Sequence, residues 1–175
     1  MELIAEIYGE DIGFENTCIN KMYRVRKASR AIIFNNLNQI ALPFVSENSY
    51  HKLPGGGIEA GENVAAALNR ESAEEAGVEI DIIREVGIII EYRDRFEQLQ
   101  ISYCFIAEVS KRLESTRFTK DELLMGFQLK WVNFEEALEL IRNDKPNDYV
   151  GRFIQRRDLS FLMKAKQLIS EASSQ

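Results

Sequence analysis

The chain has 175 residues, with 22 basic and 28 acidic side chains, a net charge of −6 and 45% hydrophobic residues. That length supports one domain with a real core, expected to span residues 1–175. The acidic balance argues against broad electrostatic binding to DNA or RNA. No apolar run reaches the ~20 residues of a membrane helix. The N-terminus MELIAEIYGED lacks the basic-then-apolar order of a secretory signal. Cys18 and Cys104 are too few and too far apart in sequence to suggest a disulfide framework, so a cytoplasmic location is expected.

Residues 2–8 and 22–34 carry scattered alternation and predict strands. Residues 31–45, AIIFNNLNQIALPFV, read as a hairpin whose turn holds Asn35, Asn36 and Asn38, a residue type that tolerates turn geometry. Pro43 belongs near an edge or bulge, since it cannot donate to a ladder. Residues 46–61 read as a loop ending in Pro54-Gly55-Gly56-Gly57. A helix then starts at Asn63, a suitable N-cap, and stops at Gly77. VEIDIIREVGIIIEYR gives one or two strands. QLQISYCFIAEVS alternates, with Leu99, Ile101, Tyr103, Phe105, Ala107 and Val109 on one face. Residues 111–126 are polar and read as loop, and FQLKWV as a strand. Asn133 caps a second helix with Glu136 at N3, a capping-box-like pair. Pro146 separates it from a last helix at 149–171. Strands interleaved with helices predict an α/β protein with a sheet between helical layers.

The chemistry concentrates in one helix. Glu71, Glu74 and Glu75 stand at i, i+3 and i+4 and share a helix face. A solvated acidic face is the usual fate of such residues. Here the helix follows a glycine turn, and hard divalent cations bind through a few carboxylates together with substrate phosphates. The stretch reads as a metal platform for phosphate chemistry.

Gly56 to Val78, GGIEAGENVAAALNRESAEEAGV, resembles the Nudix box, G-x5-E-x7-R-E-U-x-E-E-x-G-U with U aliphatic. Gly56, Glu62, Arg70, Glu71, Glu74, Glu75, Gly77 and Val78 fall in register. Ser72 departs from an aliphatic position, which bears on packing more than on chemistry. The resemblance implies a Nudix-like α/β/α sandwich with a mixed β-sheet. It also implies a metal-dependent pyrophosphohydrolase that cleaves a nucleoside diphosphate linked to another moiety, with a nucleoside triphosphate as the family default. Mg²⁺ or Mn²⁺ would sit on Glu71, Glu74, Glu75 and the carbonyl of Gly56. Glu71, Glu74 and Arg70 would serve catalysis, Arg70 by holding a glutamate of the metal site and Glu62 as its structural partner.

Substrate candidates are Glu59, His51, Tyr92, Arg93 and Glu122. Glu59 could equally be solvated, and a lone histidine such as His51 is more often structural. Tyr92 could stack on a base and Arg93 hold phosphate, against the plainer reading of a polar strand end. Glu122 is preferred to Asp121 as a further carboxylate because it lies nearer the Trp131 strand. Arg156-Arg157 reads as a solvated face. The loose dinucleotide fingerprint Gly55-x-Gly57-x-x-Ala60 does not run off a buried strand and is set aside.

The expected partner is a small phosphorylated nucleotide-like substrate, with no DNA and no membrane; Nudix proteins are often homodimers. Two other readings are a non-catalytic nucleotide-sensing Nudix module and an RNA 5′-end pyrophosphohydrolase. The first usually loses box carboxylates, which are all present here. The acidic balance counts against the second. An ADP-ribose type would place a proline some way after the box, and none occurs between Pro54 and Pro146.

Overall fold

A computed structural model describes residues 1–15 and 22–173, so Cys18 lies outside the described residues. Among these, the strands are β1 (Leu3–Ile7), β2 (Arg24–Phe34), β3 (Gln39–Val45), β4 (Tyr50–His51), β5 (Val78–Arg93), β6 (Gln98–Arg112) and β7 (Phe127–Asn133). The helices are α1 (Val64–Glu71), α2 (Lys120–Leu124), α3 (Phe134–Asn143) and α4 (Tyr149–Ser173). The strands form one sheet in the order β1-β5-β6-β2-β3-β4, with β7 also paired to β3. It is mixed: β1 with β5 and β2 with β6 run parallel, and the other pairs antiparallel.

Alternation along β2 builds a core on each face of the sheet. Ala31 and Ile33 pack with Leu68 of α1 and with Ala76. Ile32 packs on the other face with Ile141 of α3 and Phe153, Phe161 and Leu162 of α4. Burial of each such large apolar side chain contributes about 1.5–3 kcal/mol. The result is the expected α/β/α sandwich. Among the described residues, no helix is long and apolar enough to cross a membrane.

The β2–β3 hairpin forms, but its strands part at once. Asn38 takes the left-handed conformation at φ 56°, and the Asn35 side-chain oxygen accepts the Leu37 and Gln39 N–H groups. Phe34 pairs with Ile40, after which β3 runs along β7 instead. The glycine loop fills the gap beside β2: Ala31 N–H donates to Pro54 O, Ser29 N–H to Gly56 O, and Ile58 N–H to Lys27 O, each at 3.0 Å. Gly55 is required there, because its φ is 137° and a Cβ would stand 2.1 Å from Ser29 O.

Several expectations change. The 46–61 stretch contains the short strand β4, and Pro43 lies inside β3 opposite Leu129, beside the end of the two-residue β4. Residues 78–93 form one strand with register shifts. The polar 111–126 stretch holds the end of β6 and then α2, whose cap is a capping box between Thr119 and Glu122. Asn63 caps α1 by accepting Ala66 N–H at 2.8 Å. Asn133 precedes α3 but makes no side-chain cap bond, so the pair with Glu136 does not form. On β6 the apolar residues Leu99, Ile101 and Tyr103 are only half-buried, whereas Gln100 and Ser102 are fully buried. Glu91, itself fully buried, accepts hydrogen bonds from both.

Candidate active site

A cleft of about 360 Å³ opens where β3 leaves β2. The glycine loop and the end of α1 give it an acidic wall, from Gly55, Gly56, Gly57, Glu71 and Glu75. Arg26 and Arg30 of β2 and Arg93 of β5 give it a basic one.

The acidic wall is shaped by its helix end. After Glu71 the helix widens into a π-turn, Ser72–Ala76, and stops at Gly77 in the left-handed region. Glu71 and Glu75, one wide turn apart, both face the cleft and are 8% and 1% exposed. Glu74 stays half-exposed beside Arg70. Ser72 is buried, with a hydroxyl that makes no hydrogen bond, so its departure from an aliphatic residue is felt in packing.

Arg70 is the hub of this wall. Its Nε and Nη2 donate to both oxygens of Glu62 (3.0 and 3.1 Å), its Nη1 to Glu71 (2.8 Å) and Glu74 (3.3 Å), and its Nη2 also to Gly57 O (2.9 Å). The planar fork suits this forked grip, which an ammonium could not reproduce. The hydrogen bonds to Glu62 and then Glu71 raise the Arg70 pKa despite partial burial. The reciprocal bond from Arg70 holds Glu62 below its ordinary value.

Glu75 accepts the Gly55 N–H at 2.9 Å and pairs with Lys52. Burial pushes its carboxyl up against the pull of Lys52. The Lys52 ammonium also donates to Gly55 O at 3.3 Å and lies 5.2 Å from the Phe127 ring centre.

These residues fit a hard divalent ion. Glu75 and the Gly55 carbonyl already cradle a positive charge, that of Lys52. Glu71 packs so closely on bare backbone that a Cβ on Gly56 would meet its carboxylate at 2.0 Å. The donors on offer are all oxygen, as Mg²⁺ and Mn²⁺ prefer. Among the described residues, however, no three acidic, histidine or cysteine side chains converge on one point, since Glu74 and Glu75 are turned to Arg70 and Lys52.

The basic wall rests on a buried network. Arg157 of α4 is fully buried and donates to Asp158 (2.7 Å) and Glu91 (3.4 Å). Glu91 also accepts from Arg93 and from Gln100, both at 2.8 Å. Asp158 in turn accepts the Leu53 N–H at 2.8 Å, at the entrance to the glycine loop. Burial alone would raise the Glu91 pKa, but Arg93 and Arg157 outweigh it and bring it to about 2. Burial, with Arg157 nearby, lowers Arg30 to about 10.

Of the sequence-predicted residues, Gly56, Glu71, Glu75, Arg93 and Glu122 line this cleft; Glu74 and Arg70 adjoin it. Glu122 also accepts the Thr119 N–H at 2.7 Å. Three candidates lie elsewhere. His51 is buried, with Nδ1 3.0 Å from Asp144 and Nε2 3.2 Å from Lys130, where it ties β4 to the end of α3. Tyr92 points away because strand neighbours alternate. Its ring stacks on Tyr8 at 4.4 Å and its hydroxyl donates to Glu6. Glu59 is exposed, its N–H held by Glu62.

Sequence reasoning missed Arg26, Arg30, Lys52 and Asp158, and it placed Arg157 on a solvated face, whereas Arg157 is fully buried. A signal existed. Arg26 and Arg30 stand at an even spacing on one strand face. Arg157 sits at i+4 from Phe153 and i−4 from Phe161, inside the apolar stripe of α4.

The NUDIX domain family model matches residues 25–152. Diphosphoinositol polyphosphate phosphohydrolase 3-alpha of Mus musculus is 28% identical over 124 residues, which covers 69% of this chain and 72% of that protein. Among solved structures, the E. coli ORF135 protein matches with a TM-score of 0.58 at 20% identity, over 85% of this chain and 94% of that one. The MutT protein of Methanosarcina mazei Go1 matches with a TM-score of 0.54 at 20% identity, over 79% and 95%. The two structural likenesses are likenesses of fold.

Proposed function

This chain belongs to the Nudix family and is a hydrolase of phosphoanhydride bonds, and we propose that it is a divalent-metal-dependent pyrophosphohydrolase of a nucleoside diphosphate linked to a further group, with nucleoside triphosphates in that class. The observation that carries this reading is the placing of Glu71 and Glu75 in one cleft with the bare backbone of Gly55, Gly56 and Gly57.

Glu71 and Glu75, with the Gly56 carbonyl and Glu74 beside them, would hold Mg²⁺ or Mn²⁺. When bound, the ion supplies Lewis-acid stabilisation of phosphate oxygens and a more acidic water. The chain's own residues do the rest. Arg70 fixes the orientation of Glu71 and Glu74. Lys52 neutralises Glu75 until a stronger cation competes for it. A glutamate of this wall takes the proton of the attacking water. The glycine loop leaves room for the diphosphate to approach backbone. Arg93, held by Glu91, offers a guanidinium to phosphate oxygens. Water adds to one phosphorus, the bridging oxygen leaves with the other, and two phosphorylated products result. The full set of box carboxylates disfavours a non-catalytic sensing module.

A diphosphoinositol polyphosphate is a second substrate class. The name of the mouse relative favours it, as does the concentration of arginine along one wall. A panel of nucleoside diphosphate derivatives and a diphosphoinositol polyphosphate, incubated with Mg²⁺ or Mn²⁺ and read by mass, tests both. The expected result is paired phosphorylated products from one class. No product from any member of the panel would overturn the proposal.

A further inference from the structure

Two cations in the cleft have only neutral hydrogen-bond partners among the described residues. Arg26 donates from Nη1 to the amide oxygen of Gln100 at 2.6 Å, and Arg30 from Nη1 to the carbonyl of Ser29 at 3.1 Å. Neither forms an ion pair among the described residues, whereas Arg70, Arg93, Arg157 and Lys52 all do. Arg30 is only 5% exposed, and its Nε makes no hydrogen bond; nor does the buried Nε of Arg93. Carboxylates act on both only from a distance, Glu91 and Glu71 on Arg26 and Asp158 and Glu75 on Arg30, and a buried charge without a direct ion pair is costly. The chain as a whole is acidic, so two neighbouring arginines without ion pairs on one wall are not a property of its general surface.

Position adds to the argument. Arg26 and Arg30 stand four residues apart on β2 and both line the cleft. A Cβ on Gly57 would stand 3.0 Å from Arg26 Nη2, so this guanidinium reaches to the glycine loop itself. The acidic wall lies across the same cleft, with Glu71 paired to Arg70 and Glu75 to Lys52.

We infer that Arg26 and Arg30 form an anion subsite for a phosphate of the substrate beyond the scissile diphosphate, which selects molecules carrying at least three phosphate groups over nucleotide sugars. This rests on the cleft being the pyrophosphohydrolase site. Two guanidinium groups on one strand face offer forked donors to phosphate oxygens, and the ligand supplies the direct ion pair that the fold omits.

The test uses inorganic tripolyphosphate as the probe, in EDTA so that no divalent ion contributes, with binding followed by calorimetry. Wild-type protein is expected to bind it. R26Q, a change at an exposed position, is expected to bind roughly ten- to hundredfold more weakly, the loss of a charge-assisted contact. K111Q makes the same charge change far from the cleft and is expected to bind like wild type. With Mg²⁺, R26Q should raise KM for a nucleoside triphosphate and leave KM for a nucleoside diphosphate sugar unchanged. R30Q adds a stability readout. If Arg30 serves the ligand, removing a charge that forms no direct ion pair leaves the melting temperature at or above that of wild type.

No wild-type binding in EDTA, or equal binding by R26Q, would overturn the subsite. So would an R26Q rise in KM that is equal for both substrate classes, or a lower melting temperature in R30Q. Failure of the pyrophosphohydrolase reading looks different: tripolyphosphate binding would still depend on Arg26, while no nucleotide would be cleaved with Mg²⁺.

Discussion

The two walls of the cleft are charged by opposite means. The acidic wall comes from one short stretch, where Arg70 gathers Glu62, Glu71 and Glu74 within a single helix and its approach. Its charges are compensated locally. The basic wall comes from β2, β5 and α4, joined through Glu91, Arg157 and Asp158, and two of its cations form no ion pair among the described residues. The contrast teaches that one wall is built to hold carboxylates in a fixed orientation, the other to keep positive charge available. Asp158 links them, since it pairs with Arg157 and also holds the backbone entering the glycine loop.

Breaking the frame of the basic wall should have the largest effect. Arg157→Met leaves Glu91 and Asp158 buried without their shared partner, and should cost about 3–5 kcal/mol of stability by urea unfolding. Stability equal to wild type would show that the network is not what holds α4 on the sheet. On the acidic wall, Glu71→Gln or Glu75→Gln should cut turnover by ~10²–10³ in saturating Mg²⁺, as loss of a charge-stabilising group commonly does. Their melting temperatures should change far less than that of the Arg157 variant.

A pH series sharpens the same contrast. Glu91 is held at about 2 in the fold, below the ~4.3 of an unfolded glutamate. The fold therefore favours its ionised form. That contribution is complete above the unfolded value and is lost as pH falls through about 2. Melting temperature should drop steadily between pH 5 and 2.5, and a flat profile would contradict the ion pairs with Arg93 and Arg157. The smallest effect separates two helix caps. Asn63→Ala should cost about 1 kcal/mol, because its side chain bonds Ala66 N–H. Asn133→Ala should stay within ~0.5 kcal/mol, since its side chain caps nothing.

The same division explains what could be read from residues alone. The acidic wall was legible because Gly56, Glu62, Arg70, Glu71, Glu74 and Glu75 are fixed by local spacing on a loop and one helix. Strands and their alternation were legible for the same reason, as was the long α4. The basic wall was not, because its members come together only through the parallel pairing of β2 with β6 and the packing of α4. Arg157 reads as a surface residue until Phe153 and Phe161 are seen to bury their whole stripe. His51 and Tyr92 were substrate candidates only by adjacency, against plainer structural readings, and the bond to Asp144 and strand alternation give them those plainer roles. The helix α2 was hidden by polar composition, although Thr119 and Glu122 spell its cap.

A crystal grown with manganese and a slowly hydrolysed triphosphate analogue tests the division of labour most directly. The prediction is anomalous signal at the Glu71 and Glu75 side of the cleft, with the analogue's far phosphate against Arg26 and Arg30. Manganese bound away from those glutamates, or a far phosphate that leaves both arginines untouched, would contradict it.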